Sequence, residues 1–168
     1  IRVWSTATWT CERTLEGHGG SVRSLVVCGD QIISGSADKT IKIWSTATWT
    51  CERTLAEHTS SVLSLALTPD GGKLISGSAD STIKIWDTTS WNCARTLQLN
   101  SNVWSLLVCG DGTTLAAGTS SGRVHLINLE TGETLRTLEG HSAHVFSLVV
   151  SGGKLFSASR DRSIKVWA

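Results

Sequence analysis

The chain has 168 residues, a formal net charge of +1 at pH 7 and 17 % charged residues, with 16 glycines and one proline. Its scattered basic residues argue against nucleic-acid binding, and no apolar run reaches the roughly 20 residues of a transmembrane helix. The five cysteines have neither metal-site spacing nor the density of a secreted disulfide scaffold, so we expect buried thiols and neither a metal nor another cofactor.

The first period of the chain is predicted to form four short strands and no helix. They span Trp9–Leu15, Ser21–Val27, Gln31–Ser36 and Thr40–Trp44, with turn sequences such as Cys28-Gly29-Asp30 between them. Three further periods follow the same plan. Their predicted strands are Trp49–Leu55, Val62–Leu67, Lys73–Ser78 and Thr82–Trp86; Trp91–Leu97, Val103–Val108, Thr114–Thr119 and Arg123–Leu129; and Glu133–Leu138, Val145–Val150, Lys154–Ser159 and Ser163–Trp167.

A repeated motif sets this period. Ser34–Trp44 (SGSADKTIKIW) returns as Ser76–Trp86 and Ser157–Trp167, with a divergent copy at Ala117–Ile127, and the copies start 42, 41 and 40 residues apart. Four antiparallel strands per 40-odd residues are typical of a β-propeller blade, so the predicted fold class is all-β. No linker interrupts the array, which we interpret as one domain, 1–168. Its repeats are 9–44, 49–86, 91–129 and 133–167, preceded by residues 1–4 as the remnant of another blade.

Two features concern the origin of the chain. Ser5–Leu15 is identical to Ser45–Leu55 over eleven residues, which suggests recently amplified blades or deliberate construction. The sequence contains no methionine, so we expect the natural start to lie elsewhere. With no targeting signal visible, the expected location is intracellular and cytoplasmic.

The motifs resemble those of the WD-repeat β-propeller family. Gly17-His18 precedes one strand, Ser-Gly-Ser-x-Asp follows the next, and Ile-Trp closes the unit, although the Trp-Asp pair itself occurs only at Trp86-Asp87. The resemblance implies a propeller and a structural hydrogen-bonded tetrad in each blade, running from Trp to Ser to His to Asp. The implied tetrads are His18, Ser34, Asp38, Trp44; His58, Ser76, Asp80, Trp86; and His141, Ser157, Asp161, Trp167.

The same residues allow a second interpretation, a Ser-His-Asp nucleophile as in hydrolases. Three copies of an active site in one small chain argue against it. The third repeat also loses all members together, with Leu99-Asn100 in place of Gly-His and Ala117, Ser121 and Ile127 in place of Ser, Asp and Trp. Joint loss is expected of a buried polar network, because a half-satisfied network is worse than none. We therefore predict no catalytic residues and no enzymatic activity.

A candidate binding surface lies on the apolar strand after each Gly-His. Its second residue varies most, and the family resemblance places this position at the mouth of the central channel, on the face that binds peptides. The rim would combine aromatic, aliphatic and cationic side chains suited to a peptide side chain. Packing within the channel or between blades explains them equally well. The candidates are Arg23, Leu63, Trp104 and Phe146.

Ring closure is the remaining question. Propellers close with four to eight blades, and four blades of the resembled family would make about half a circle. A half ring exposes apolar faces, so we predict a homodimer that forms an eight-bladed ring. The last blade lacks an outer strand, and Trp9–Leu15 of the partner would supply it while Ile1–Trp4 is displaced. A closed four-bladed monomer stays open as the alternative.

The sequence thus favours two functions. One is a non-enzymatic scaffold that self-associates and binds a peptide or protein at the channel mouth, without nucleic-acid or membrane partners. The other is an excised or engineered half-propeller whose role is purely structural.

Overall fold

The computed structural model describes all 168 residues and consists of seventeen β-strands joined by turns. It has no helix of the length and apolar character needed to cross a bilayer. The strands are β1 (Arg2–Trp4), β2 (Cys11–Thr14), β3 (Val22–Cys28), β4 (Gln31–Ser36), β5 (Ile41–Ser45), β6 (Cys51–Leu55), β7 (Val62–Leu67), β8 (Lys73–Ser78), β9 (Thr82–Asp87), β10 (Cys93–Gln98), β11 (Val103–Val108), β12 (Thr114–Thr119), β13 (Val124–Asn128), β14 (Thr134–Leu138), β15 (Val145–Ser151), β16 (Lys154–Ser159) and β17 (Ile164–Trp167).

Consecutive strands pair into antiparallel sheets. Strands β3 to β6, β7 to β10 and β11 to β14 form three four-stranded sheets, which we call blades 1, 2 and 3. Strands β15 to β17 form a three-stranded sheet, blade 4, and β1 pairs only with β2. The sequence of the third strand of each blade favours a β-strand. In β5, Ile41 and Ile43 are buried while Lys42 between them reaches solvent, which is the side-chain alternation of a strand.

The blades stack face to face in chain order. The extensive contacts between neighbouring blades run through their first strands, from β3 to β7, from β7 to β11 and from β11 to β15. The first strands therefore converge on the inside of the stack. Close approach depends on glycines: a Cβ on Gly35, Gly77 or Gly118 would lie within 2.6, 2.5 and 2.8 Å of a valine methyl group of the next blade.

Apolar clusters fill the spaces between the blades. The cluster between blades 1 and 2 joins Ile33, Ile41 and Ile43 to Val62, Leu65 and Leu74. Each blade therefore has a forward face, which packs on the following blade, and a rear face, which packs on the preceding one. Burial of these faces is the main source of stability in the stack.

Both ends of the stack are open. On the rear face of blade 1, Leu25 is 50 % exposed, whereas its counterparts Leu65 and Leu106 are 6 and 9 % exposed. On the forward face of blade 4, Ile164 is 71 % exposed, whereas its counterpart Ile41 is 1 % exposed. The single chain thus leaves the forward face of blade 4 uncovered and the inner part of the rear face of blade 1 exposed beside the β1–β2 hairpin.

Two expectations differ from the structure. Trp9, Trp49 and Trp91 do not begin the outer strands but lie in the turns before them, with φ of 57, 61 and 59°. The displacement of Ile1–Trp4 is expected only in the dimer and stays a prediction; in the single chain β1 pairs with β2, Arg2 opposite Thr14, and β17 lies at the other end of the stack. The cysteines are all free and none is fully buried: Cys11 and Cys51 are exposed on outer strands, and the other three are half-buried at the edges of the apolar clusters.

Candidate functional site

The tetrad residues of the first repeat form one chain of hydrogen bonds. His18 Nδ1 lies 2.7 Å from Asp38 Oδ2, and His18 Nε2 lies 2.7 Å from Ser34 Oγ. Trp44 Nε1 donates a hydrogen bond of 2.8 Å to the same Ser34 Oγ. His18 lies in the loop before β3, Ser34 on β4 and Trp44 on β5. The hydrogen bonds therefore connect the loop that precedes the blade to its two middle strands.

The second and fourth repeats reproduce this arrangement. His58 contacts Asp80 and Ser76 at 2.8 Å each, and Trp86 Nε1 donates to Ser76 Oγ at 2.9 Å. In blade 4, His141 contacts Asp161 at 2.7 Å and Ser157 at 2.8 Å. The structure therefore brings together all four side chains in each of the three predicted sets.

Further members of the network were missed from the sequence. Thr40 Oγ1 donates a hydrogen bond of 2.6 Å to Asp38 Oδ1, and the Gly19 N–H donates one of 2.8 Å to Asp38 Oδ2. Thr82 and Ser163 take the place of Thr40 in the other two networks. The signal was present, because a hydroxyl residue follows each of these aspartates by two positions.

The Ser-His-Asp contacts are those of a nucleophilic triad, but the serines are inaccessible to a substrate. Ser34 and Ser76 are fully buried, so a substrate has no access to either hydroxyl. Each serine donates to its histidine and accepts from its tryptophan, so both contacts hold the hydroxyl in the core of the blade. The arrangement favours a structural fastening over hydrolysis. No three His, Cys, Asp or Glu side chains converge into a metal-binding group.

Burial and hydrogen bonding shift the acid–base behaviour of the second network. Burial favours the neutral carboxyl of Asp80, but hydrogen bonds from Thr82 and His58 outweigh it and lower the pKa to about 2. Burial lowers the pKa of His58 below its ordinary 6.5, although the Asp80 carboxylate opposes this. The network is therefore held with an ionised aspartate and a neutral histidine.

These shifts predict a fall in stability on acidification. His58 takes up a proton more readily in the unfolded chain, so the free energy of unfolding should fall as pH decreases below 6.5. It should fall again between pH 3.8 and about 2, as the Asp80 carboxylate is lost. Urea unfolding at a series of pH values measures both steps. In the variant His58→Gln the step below pH 6.5 should shrink to the contribution of His125, whose pKa burial also lowers, while the acidic step remains because other aspartates also have lowered pKa values. Stability that rises from pH 7 to pH 5 would contradict the assignment.

The third repeat replaces the network with apolar packing. Ala117 and Ile127 are 0 and 1 % exposed and belong to a cluster of nine buried residues between blades 2 and 3. No buried polar side chain is left without a partner at this place. The simultaneous loss of the polar members therefore leaves a well-packed blade.

The candidate rim residues lie on the converging first strands. Trp104 on β11 and Phe146 on β15 meet edge to face at a centroid distance of 5.3 Å. His144 stacks on Trp104 at 5.1 Å, an aromatic partner that the sequence did not indicate. Leu63 lies on β7 and Arg23 on β3, and Arg23 forms no cation–π contact with these rings.

One polar atom of this aromatic cluster has no partner. Trp104 Nε1 is buried and is the only buried side-chain nitrogen or oxygen in the chain that makes no hydrogen bond. A buried unpaired donor costs about 1–3 kcal/mol, so an acceptor at this position would be favoured. The aromatic cluster Trp104, His144 and Phe146 thus contains the one unpaired buried donor of the chain.

Comparison with known proteins identifies the repeats. The family profile described as "WD domain, G-beta repeat" matches residues 9–45, 49–87, 91–128 and 132–168. Meiotic fizzy-related protein 1 of Schizosaccharomyces pombe is 38 % identical over 64 residues, which are 38 % of this chain and 15 % of that protein. WD repeat-containing protein SL1-17 of Schistosoma mansoni is 45 % identical over 67 residues, or 39 % of this chain and 22 % of that protein.

A solved structure resembles nearly the whole chain. The computationally designed Ika8 protein superposes with a TM-score of 0.85 and 28 % identity. The match covers 99 % of this chain and 51 % of the Ika8 chain. This chain therefore spans about half the length of that protein and less than a quarter of the two relatives above.

Proposed function

Because the chain belongs to the WD-repeat family, whose members serve as protein-interaction scaffolds, we propose that it is a non-enzymatic scaffold of this kind. Two copies close into one ring, and the ring binds a peptide or protein at its channel mouth. Its partners are a second copy of itself and a peptide or protein, without nucleic acid or membrane, and its location is cytoplasmic.

The observation that carries self-association is the relation between the two open ends. Val149, Ile164 and Val166 on blade 4 are 55, 71 and 54 % exposed, and they occupy the positions of Val26, Ile41 and Ile43, which pack on blade 2. Leu25 and Val27 on blade 1 occupy the positions of Leu65 and Leu67, which pack on blade 1. The two open faces are therefore the two halves of one internal blade junction.

The strand pairing of the two ends is also complementary. Blade 4 has three strands and an unpaired edge at β17, while β2 is an outer strand without a complete blade. In blades 1 and 2 the third strand pairs with the outer strand, Trp44 opposite Cys51 and Trp86 opposite Cys93. By the same register, Trp167 would pair with Cys11 of the second copy. β1 holds that position in the single chain, with Trp4 opposite Cys11, so exchange must displace it.

Hydrogen bonds between first strands support this docking. Ser24 Oγ accepts the Leu65 N–H at 3.0 Å, and Ser64 Oγ accepts the Leu106 N–H at 3.1 Å. Ser147 is the equivalent residue of blade 4 and is exposed. In the closed ring it would accept the Leu25 N–H of the second copy. One difference from the internal junctions is Ala158, which stands where those junctions have glycine. Because a Cβ at those glycines would lie 2.5 to 2.8 Å from a valine methyl group of the next blade, Val22 of the second copy must sit further from blade 4 than its counterparts do at the internal junctions.

The number of blades favours two copies. Four blades match 51 % of the Ika8 chain, so two such chains supply about the length of one. Two half rings related by a two-fold axis would close an eight-bladed ring, within the range that propellers use. In the single chain β2 and β17 belong to different sheets, which disfavours a closed four-bladed monomer.

A purely structural role is the second candidate. The eleven identical residues of Ser5–Leu15 and Ser45–Leu55 favour amplified or engineered blades, and such a chain needs no ligand to assemble. Its similarity to a computationally designed protein is in keeping with this origin.

Peptide binding at the rim separates the two candidates. Replacing Trp104 and Phe146 with serine should abolish binding of any peptide selected from a thermal-shift screen, because the edge-to-face ring pair is removed. Leu135→Ser, on an exposed outer strand, is the control that should leave binding unchanged. A screen without any binding peptide would favour the structural role. Unchanged binding by the double variant would rule out this rim as the site.

A further inference from the structure

An open cavity lies between blades 3 and 4. Its volume is about 320 Å³, large enough for an indole ring. Its apolar walls come from both blades, and Arg136 contributes a cation from β14. Its lining includes Cys109, Leu126, Arg136, Leu138, Leu155 and Trp167.

The lining matches the surroundings of another side chain in the same molecule. Between blades 1 and 2, Trp91 is 7 % exposed and belongs to a cluster with Ile43, Leu74 and Trp86, against which Leu55 and Cys28 also pack. Counted along the repeats, these five positions correspond one by one to cavity residues. The counterparts are Leu126, Leu155, Trp167, Leu138 and Cys109, respectively. The cavity is therefore the place that Trp91 fills two junctions earlier, between blades 1 and 2.

The residue that would fill this cavity belongs to the turn before the outer strand of blade 4. In this structure β17 has an unpaired edge, whereas β2 is an outer strand outside any four-stranded sheet, and Trp9 lies in the turn before it. Trp9 has φ of 57° against 59° for Trp91, and its N–H donates to Ser5 O as that of Trp91 donates to Asp87 O. Trp9 is 75 % exposed. Trp9 therefore lies in the same turn conformation as Trp91, but no neighbouring blade covers its ring.

A third tryptophan shows the cation contact. Trp49 is the equivalent residue of blade 1, and the guanidinium carbon of Arg13 lies 5.7 Å from the centroid of its ring. Arg136 on β14 corresponds to Arg13 on β2, and it lines the cavity. Where the tryptophan is replaced by Gly132, between blades 2 and 3, the Arg95 guanidinium instead donates to the Thr131 and Glu130 carbonyl oxygens.

We propose that Trp9 of a second copy inserts into this cavity. Its ring packs between Trp167 and Leu138, with the Arg136 guanidinium over one face. The occupant is a second copy because β2 and Trp9 of the same chain lie beside blade 1, at the opposite end of the stack. This inference rests on the proposed self-association and names its anchor residue. Each copy inserts its Trp9 into the cavity of the other, so the two-fold axis generates two identical contacts.

Sedimentation equilibrium on the full chain and three variants tests the proposal. Trp9→Ala should raise the dimer dissociation constant by at least about 30-fold, the effect of a typical interface hot spot. Arg136→Ala should raise it less, about 3- to 10-fold for a lost cation–π contact, and the double variant should show less than the product of the two effects. Leu135→Ala is the matched control, because Leu135 adjoins Arg136 on β14 but is exposed and does not line the cavity.

The outcomes separate the inference from the proposal on which it rests. A dimer that Trp9→Ala weakens no more than Leu135→Ala would overturn the Trp9 anchor and leave self-association standing. A wild-type chain that stays monomeric would overturn both. Hydroxyl-radical footprinting gives an independent readout: the Trp9 ring should be protected in the dimer and reactive in a monomeric variant. A reactive Trp9 within the dimer would also reject the anchor.

Discussion

Replacing Trp86 with alanine should lower the free energy of unfolding by about 4 kcal/mol. Trp86 is 1 % exposed, packs in the cluster between blades 1 and 2, and donates a hydrogen bond of 2.9 Å to Ser76 Oγ. The substitution therefore opens a large cavity and leaves part of a buried polar network unpaired. Urea unfolding at a fixed protein concentration measures the loss.

The chain provides matched controls for this substitution. Trp4 occupies the same position in β1 but is 51 % exposed, so Trp4→Ala should cost less than about 1 kcal/mol. Trp86→Phe keeps most of the apolar volume and removes the indole N–H, so about 1–2 kcal/mol of the loss should belong to the hydrogen bond. Equal losses for Trp86→Ala and Trp4→Ala would show that the network does not fasten the blade.

Placing an aspartate on either open face should convert the dimer into a monomer. Leu25→Asp on blade 1 and Val166→Asp on blade 4 both put a carboxylate where the closed ring has an apolar junction. Burial of an unpaired charge costs several kcal/mol, so the dissociation constant should rise at least about 100-fold. Since Leu25 and Val166 are 50 and 54 % exposed in the single chain, the fold itself should tolerate either change.

Leu135→Asp is the control for these two variants. Leu135 is 57 % exposed but lies on the outer strand β14, away from both open faces. It should leave the dissociation constant within about 2-fold, because no partner covers it in the proposed ring. Strong dimers in both face variants, with loss of association only in Leu135→Asp, would place the interface on the outer strands instead.

The sequence predicted the blades well because its repeats can be read against each other. The copies of Ser34–Trp44 established the period, the strand order and the residues that meet in each network. Comparison with the third repeat was equally informative, since Ala117 and Ile127 now lie in an apolar cluster where the other blades have serine and tryptophan. A pattern that changes at all its members together reports contact in space.

The remainder depended on three-dimensional information. A left-handed conformation costs a bulky residue energy, so nothing in the sequence indicated φ of 57° at Trp9. The role of Trp9 emerged only from comparing its exposure with that of Trp91 and from a cavity built by two other blades. The partner of His144 was also hidden, because its stacking on Trp104 joins two neighbouring blades. The sequence contains the parts of these contacts but not their distances.

Light scattering across a concentration series tests the central claim of self-association most directly. If two chains close one ring, the molar mass at micromolar concentration should be about 36 kDa, twice the 17.9 kDa of one chain. The mass should not increase further, because a closed ring leaves no open face for a third copy. A mass of 17.9 kDa at these concentrations would contradict the account, as would a mass that grows continuously with concentration.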